Sequence, residues 1–419
     1  MMATTGTAPR GWVAVAAAMF AIAWGGNEFT PLLVMYKGAG LGTTTVDLLL
    51  FAYVFGIVPA LLVGGPLSDR HGRAPLLRPA PLIAATGSLV LACGADSVAL
   101  LTLGRVLCGI ALGLAMAVGG SWLEELSAIG HGRAGGGGAR RAAMSLTGGF
   151  AVGAGVAGVL AQWGPWPHSL AYLINAALCV VAAGGLLRTP ETRSTSADRA
   201  PSALWAIPRL PSWAARRFFG VALPVAAWLF ACAAGAYAIM PTLMMPHAGS
   251  TPIAFSASIT VLTLVCGFAI QSVARRIDRP GTARAATVSL TLVVAGMGCA
   301  AFAAHALTLW ATVLTALVLG AGYGIGMVAG LQEVQRLAHP DDLARLTAIF
   351  YSVSYLGFGL PALLAALHQR AGFGYPAMFV AVGLVAAAFL GLVARNYRTE
   401  AEPDADNPRE FVAALVEQR

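Results

Sequence analysis

A run of about twenty apolar residues is long enough to cross a bilayer as a helix, and this chain contains twelve such runs. In the first half they cover residues 12–36, 46–66, 75–95, 98–122, 143–163 and 169–188. In the second half they cover 217–245, 252–274, 284–304, 307–332, 346–367 and 374–394. Hydrocarbon offers no water to backbone N–H and C=O groups, so each run must satisfy them internally as a helix. The expected fold is an all-α integral membrane protein with twelve transmembrane helices. Composition agrees: 58% of the 419 residues are hydrophobic and 11% charged, against roughly a quarter charged in soluble domains. The 50 glycines suit helices whose backbones approach closely.

Charge orients the chain. With the amino terminus inside, 23 of the 26 Lys and Arg residues fall on inner segments. The outer loops keep only Lys37 and Arg370, and Arg105 lies within a run. By the positive-inside rule both termini are cytoplasmic, in a multi-pass protein of the cell inner (plasma) membrane. The net charge of +8 is spread over inner loops and is not gathered on one soluble face, which argues against a nucleic-acid partner. The first run follows Arg10 as a signal peptide would, but its length points to a retained helix. Cys93, Cys108, Cys179, Cys232, Cys266 and Cys299 lie in or at the ends of runs, form no C-x-x-C pair and read as small core residues. No metal site or cofactor is expected.

Two features repeat. Asp69, in the charged turn after the second run, has a counterpart 209 residues on in Asp278. Glu124, closing the fourth run, has one at the same spacing in Glu333. A shared shift indicates an internal duplication. It divides the chain into a six-helix bundle (1–188), a cytoplasmic linker (189–216), a second six-helix bundle (217–395) and a tail (396–419). Trp205 and Trp213 among the linker's arginines suggest a segment resting on the membrane surface. Asn407-Pro408-Arg409-Glu410 looks like the start of a short tail helix.

The turn reads Gly65-Pro-Leu-Ser-Asp69-Arg70-His-Gly72-Arg73. It resembles the signature of the major facilitator superfamily between the second and third helices, G-x-x-x-D-R-x-G-R. Arg105 followed by Gly109 and Gly113 resembles the family's second signature, and Pro190-Glu191-Thr192-Arg193 is similar to a common family ending of the sixth helix. The resemblance implies two pseudo-symmetric bundles around a central cavity that opens alternately to either side. Glu28-Phe29 and Ala52-Tyr53-Val-Phe-Gly56 look most like the bacterial drug:proton antiporters. Gly149, Gly153, Ala154 and Gly158 resemble the antiporters' glycine-proline motif, with Ala154 where proline is usual.

Two charges lie inside the membrane. Glu28 sits about 24 Å and Arg105 about 25 Å above the cytoplasmic surface at helical rise. Intramembrane charges need a partner or a wet cavity, so these two are the candidate proton-coupling pair. Asp47, at the outer end of the second run, reads as solvated. Gly65, Asp69, Arg70, Gly72, Arg73, Glu124, Arg140, Asp278, Arg279 and Glu333 form a candidate cytoplasmic gate. Trp24, Asn27, Tyr53, Trp228, Tyr237, Met240, Tyr323, Met327, Tyr351 and Tyr355 are the candidate cavity lining. Gly135 to Gly138 imitate a phosphate loop without its Lys-Ser/Thr.

The expected function is proton-coupled secondary active transport of a small organic, lipophilic or amphipathic solute, by a monomer, with export favoured. The alternatives are a proton symporter importing a metabolite and a non-transporting sensor of the same fold. A membrane-embedded enzyme would need more convergent groups at depth than Glu28 and Arg105 provide.

Overall fold

The computed structural model describes residues 11–131, 137–193, 210–339 and 342–398. Trp205 and the tail helix expected near Asn407 lie outside the described residues. Twelve helices are long and apolar enough to cross a membrane. They are α1 (Gly11–Gly38), α2 (Thr43–His71), α3 (Arg73–Cys93), α4 (Val98–Ile129), α5 (Gly137–Trp163) and α6 (Leu170–Leu187) in the first half. The second half holds α7 (Ser212–His247), α8 (Pro252–Ile277), α9 (Arg284–Ala306), α10 (Leu309–Leu337), α11 (Leu343–Ala371) and α12 (Tyr375–Arg395). Each matches one apolar run. Although α6 falls just inside its run, several helices overshoot theirs, as α2 does through Asp69-Arg70, because charged residues can continue a helix once it has left the hydrocarbon. In the same way α7 starts at Ser212, inside the expected linker. Among the described residues the extended pairing is one antiparallel bridge, Thr282 with Arg398.

Proline sets the irregularities. A proline lacks the N–H that would bond residue i−4 and its ring crowds that carbonyl. Pro31 accordingly follows the turn at Glu28 that divides α1, four residues after Asn27. Pro224 and Pro241 follow the π turns Phe218–Ala222 and Gly235–Ile239 of α7, and Pro361 follows the 3₁₀ turn Gly357–Gly359 of α11. The 3₁₀ turn of α11 and the Gly235–Ile239 turn of α7 lie within their spans, whereas the Phe218–Ala222 turn lies at the arginine-rich start of α7.

Small residues bring the helices together. Gly56 of α2 lies against the backbone of Val106, Gly109 and Ile110 of α4, and Gly109 lies in turn against the Tyr53 carbonyl. Gly149 and Gly153 of α5 meet the Phe20 and Trp24 carbonyls of α1. In the second half Gly267 of α8 meets Gly320 and Tyr323 of α10. The resulting cores are separate, one around Met19, Tyr36 and Trp122, the other around Phe218, Met297 and Phe379.

A methyl group at residue 56 would collide with the Val106 carbonyl, whereas one at Gly298 meets nothing within 4 Å. Overpacking of this kind costs about 1–3 kcal/mol. Gly56→Ala should therefore lower the thermal midpoint of the purified protein by several degrees, while Gly298→Ala leaves it level or raises it. Equal midpoints would refute the close α2–α4 contact.

Candidate functional site

The arginine-rich end carries two charge clusters. Arg73 is buried and donates to Asp69 (3.0 Å), Ser68 (2.8 Å) and Glu125 (3.0 and 3.2 Å). Arg193 adds a second cation to Asp69 at 2.9 Å. Glu191 accepts the backbone N–H groups of Arg73 and Ala74, at the start of α3, and those of Thr192 and Arg193. Partial burial pushes its carboxyl up, but these four donors outweigh that and hold it below the usual carboxylate range. Gly72, at φ +96°, lets this carboxylate approach, since a Cβ there would meet Glu191 Oε2 at 2.6 Å.

The expected membership changes at three positions. Glu125, not Glu124, meets Arg73; Glu124 instead accepts the Ala139 N–H (2.6 Å) and caps the start of α5. Arg140 is exposed, and its neighbour Arg141 turns inward to Ser127 and over the Trp12 ring. In the second half Asp278 pairs with Arg336 of α10, not with the exposed Arg279. Arg336 also approaches Glu333, which pairs with the buried Arg217. Arg70 is exposed, and buried Gly65 faces Ala344 of α11 across the two halves. The ion pairs named here stay within one half or tie it to residues 189–193.

The opposite end is sealed across the halves. Lys37 pairs with Asp47 at 2.7 Å, and the same ammonium donates to Thr242 of α7 at 3.0 Å. Asp47 is 3% exposed, so the expected solvated carboxylate is a buried one. Gln162 of α5 donates to the Ser250 carbonyl and accepts the first N–H groups of α8, from Ile253 and Ala254. Thr44 donates to Gln369 at 2.8 Å. Gly158 leaves room for Ala257.

Between the halves lies a cavity of about 330 Å³ that reaches the arginine-rich end, where Gln271, Arg275, Gln332 and Gln335 line it. At its inner limit Phe150, Phe230, Leu264, Tyr323 and Tyr355 also line a smaller chamber of about 30 Å³. Asn27, Thr30, Tyr53, Arg105, Tyr237 and Phe358 complete that chamber. Phe230 stacks on Tyr355 (4.3 Å between centroids) and Phe358 (4.9 Å), an aromatic wall from α7 and α11.

Arg105 is 1% exposed. Its guanidinium lies 4.2 Å over the Tyr53 ring and 4.7 Å over the Phe29 ring, and donates to the Leu49 and Gly26 carbonyls, each at 3.4 Å. Glu28 makes neither an ion pair nor a hydrogen bond with it. That carboxyl is fully buried, lines neither cavity and makes no well-formed hydrogen bond, with the Ser88 hydroxyl and the Trp24 indole N–H the donors that approach it. It faces the interior of the first bundle, where Arg105 is its strongest charged influence. Nearby Ser88 spends its hydroxyl proton on Asn175 (2.8 Å), whose amide is held by the Ala21 carbonyl.

The cavity thus brings together Asn27, Tyr53, Arg105, Tyr237, Tyr323, Met327, Tyr351 and Tyr355 among the expected residues. Trp24, Trp228 and Met240 are corrected to packing roles: Trp24 sits edge-on to Phe20, Trp228 on Phe389, and Met240 within the second core. Sequence reasoning missed Thr30, Phe150, Phe230, Phe358 and the vestibule glutamines. The glutamines were visible as amides at the ends of α8 and α10, the phenylalanines only as apolar residues among many.

The family profile described as Major Facilitator Superfamily matches residues 13–362. The glucose transporter GlcP of Staphylococcus epidermidis is 30% identical over 96 residues, 23% of this chain and about a fifth (21%) of that relative's length. A POT family transporter in complex with a thioalcohol-conjugated peptide superposes with a TM-score of 0.73 at 12% identity, covering 92% of this chain and 96% of that one. A D-xylose–proton symporter superposes at 0.65 and 14% identity, covering 90% and 97%. At such identities the structures share the fold.

If the Lys37–Thr242 bond helps to seal its end, Thr242→Val should open it more often while leaving the Lys37–Asp47 pair intact. In a background free of other cysteines, labelling of Ala254→Cys by a membrane-impermeant maleimide should rise several-fold, the scale of one hydrogen bond to a charged group. Unchanged labelling would remove Thr242 from the seal.

Proposed function

The chain belongs to the major facilitator superfamily, and on that premise we propose that this transporter is a proton-coupled secondary active carrier of a small amphipathic organic solute, working by alternating access. Its family and structural neighbours are transporters, which sets the enzyme alternative aside. The arginine-rich end is taken as cytoplasmic by the positive-inside rule, and the cavity that opens there, with the opposite end closed, supports reading this arrangement as inward-open. The aromatic wall suits the apolar part of a solute, and a polar group fits beside Arg105 and Tyr53.

The observation that carries the coupling is Glu28 itself, fully buried off the cavity, within the electrostatic reach of Arg105 and without an ion pair. An acid in such a setting exchanges its proton as its surroundings change. Solute and proton then do not compete for one carboxylate; both act on the same guanidinium, the solute from the chamber and the proton through Glu28. Export, the direction expected from the sequence, needs a solute whose binding favours the ionised Glu28. Import with protons needs one whose binding favours the protonated form.

Glu28→Gln fixes a neutral side chain. In proteoliposomes with an imposed pH difference, tested with ethidium, benzamide and benzenesulfonate as cationic, neutral and anionic probes, the wild type should accumulate at least one. The Gln variant should lose that accumulation and retain exchange of the same probe at zero gradient. Accumulation that persists in Glu28→Gln would return Glu28 to a structural role.

A further inference from the structure

We propose that the chamber around Arg105 is an anion subsite and that the transported solute is an aromatic or otherwise apolar organic acid, its acid group at Arg105 and its body against the Phe230–Tyr355–Phe358 wall. This rests on the transporter reading above and names its substrate class.

Three observations support it. The cavity's charge has one sign: among the described residues the charged side chains lining the two spaces are Arg105 at the inner limit and Arg275 at the mouth, with no Asp or Glu on either. The guanidinium is only lightly engaged, since its two backbone bonds are both 3.4 Å long, toward the weak end for N–H···O. Finally, the Tyr53 hydroxyl is buried in the chamber without a hydrogen-bond partner, although such groups are nearly always satisfied. A carboxylate or sulfonate in the chamber within reach of both the Arg105 guanidinium and the Tyr53 hydroxyl would accept from both, with the planar guanidinium matched to two oxygens. A cationic solute would meet two arginines and no counter-charge.

The sign of coupling follows. The titratable groups around Glu28 and Arg105 are Tyr36 on α1, Tyr53 on α2, Cys108 on α4, Tyr172 and Cys179 on α6, and Tyr237 on α7. Phenols and thiols keep their protons at neutral pH by their ordinary values, so Glu28 is the group that exchanges one. An ionised Glu28 and a bound anion draw on the same guanidinium. Protonating Glu28 leaves that charge to the solute, so anion and proton bind together and move together. The direction is import with protons, opposite to the export expected from the sequence.

The test uses the full-length protein in detergent and one carbon skeleton in four forms: naphthoate, naphthalenesulfonate, naphthalenesulfonamide and naphthylmethylamine. Dissociation constants are measured by calorimetry between pH 5.5 and 8. The two anions should bind on the order of tenfold or more tightly than the amide and the amine, the scale of a charge-assisted hydrogen bond. Arg105→Lys should keep part of that preference, Arg105→Gln should abolish it, and Arg275→Gln should keep most of it. The sulfonate stays ionised throughout, so its tighter binding at low pH reports on the protein, and Glu28→Gln should hold it tight at every pH. Equal or tighter binding of the amine or amide, no binding of either anion, or an anion preference that survives in Arg105→Gln would overturn the proposal. An anion preference without pH dependence, unchanged in Glu28→Gln, would keep the subsite and sink the proton-coupled reading.

Discussion

A guanidinium inside an apolar bundle has to be held by something, and the hold on Arg105 organises the centre of this protein. Two backbone carbonyls, Gly26 on α1 and Leu49 on α2, and the faces of Phe29 and Tyr53 fix the group without neutralising it. Placing it there requires α1, α2 and α4 to crowd one another, which the Gly56–Gly109 contact permits. The charge that remains lines the chamber and acts electrostatically on Glu28. A buried charge is expensive unless it is compensated, so each possible compensator, the carboxylate or a bound anion, is linked to the other.

The two ends of the molecule are built from different interactions. At the sealed end a single ammonium joins α1, α2 and α7, with both members of its ion pair removed from water. Pairs of this kind are weak evidence for stability but costly to break singly. They therefore suit an element that is either wholly made or wholly undone. At the arginine-rich end the charges are pooled within each half, Asp69–Arg73–Glu125 in one and Asp278–Arg336–Glu333–Arg217 in the other. Such clusters stiffen each bundle end as a unit and leave the cavity mouth between them.

Helix number, span positions and the charged turn were legible in the sequence because each depends only on composition and spacing. Facing was not. Depth arithmetic proposes one level for Glu28 and Arg105, but adjacent residues on a helix point about 100° apart, so Asn27 lines the chamber while Glu28 lines neither cavity. The same ambiguity exchanged Glu124 for Glu125. Lys37 and Asp47 lie ten residues apart across a turn, and only the packed α1–α2 hairpin brings them together. Among the aromatic candidates, Tyr53, Tyr323 and Tyr355 reached the cavity and Trp24 and Trp228 did not. Periodicity says that such residues are buried, not whether protein or open space lies opposite.

The central claim is that one guanidinium links proton and solute. Proton movement on solute binding tests it most directly. In weakly buffered detergent solution near neutral pH, adding naphthalenesulfonate to the purified protein should draw protons out of solution, up to one per site, while Glu28→Gln draws none. Release of protons on binding, or the same uptake in the Gln variant, would contradict the link between Arg105 and Glu28.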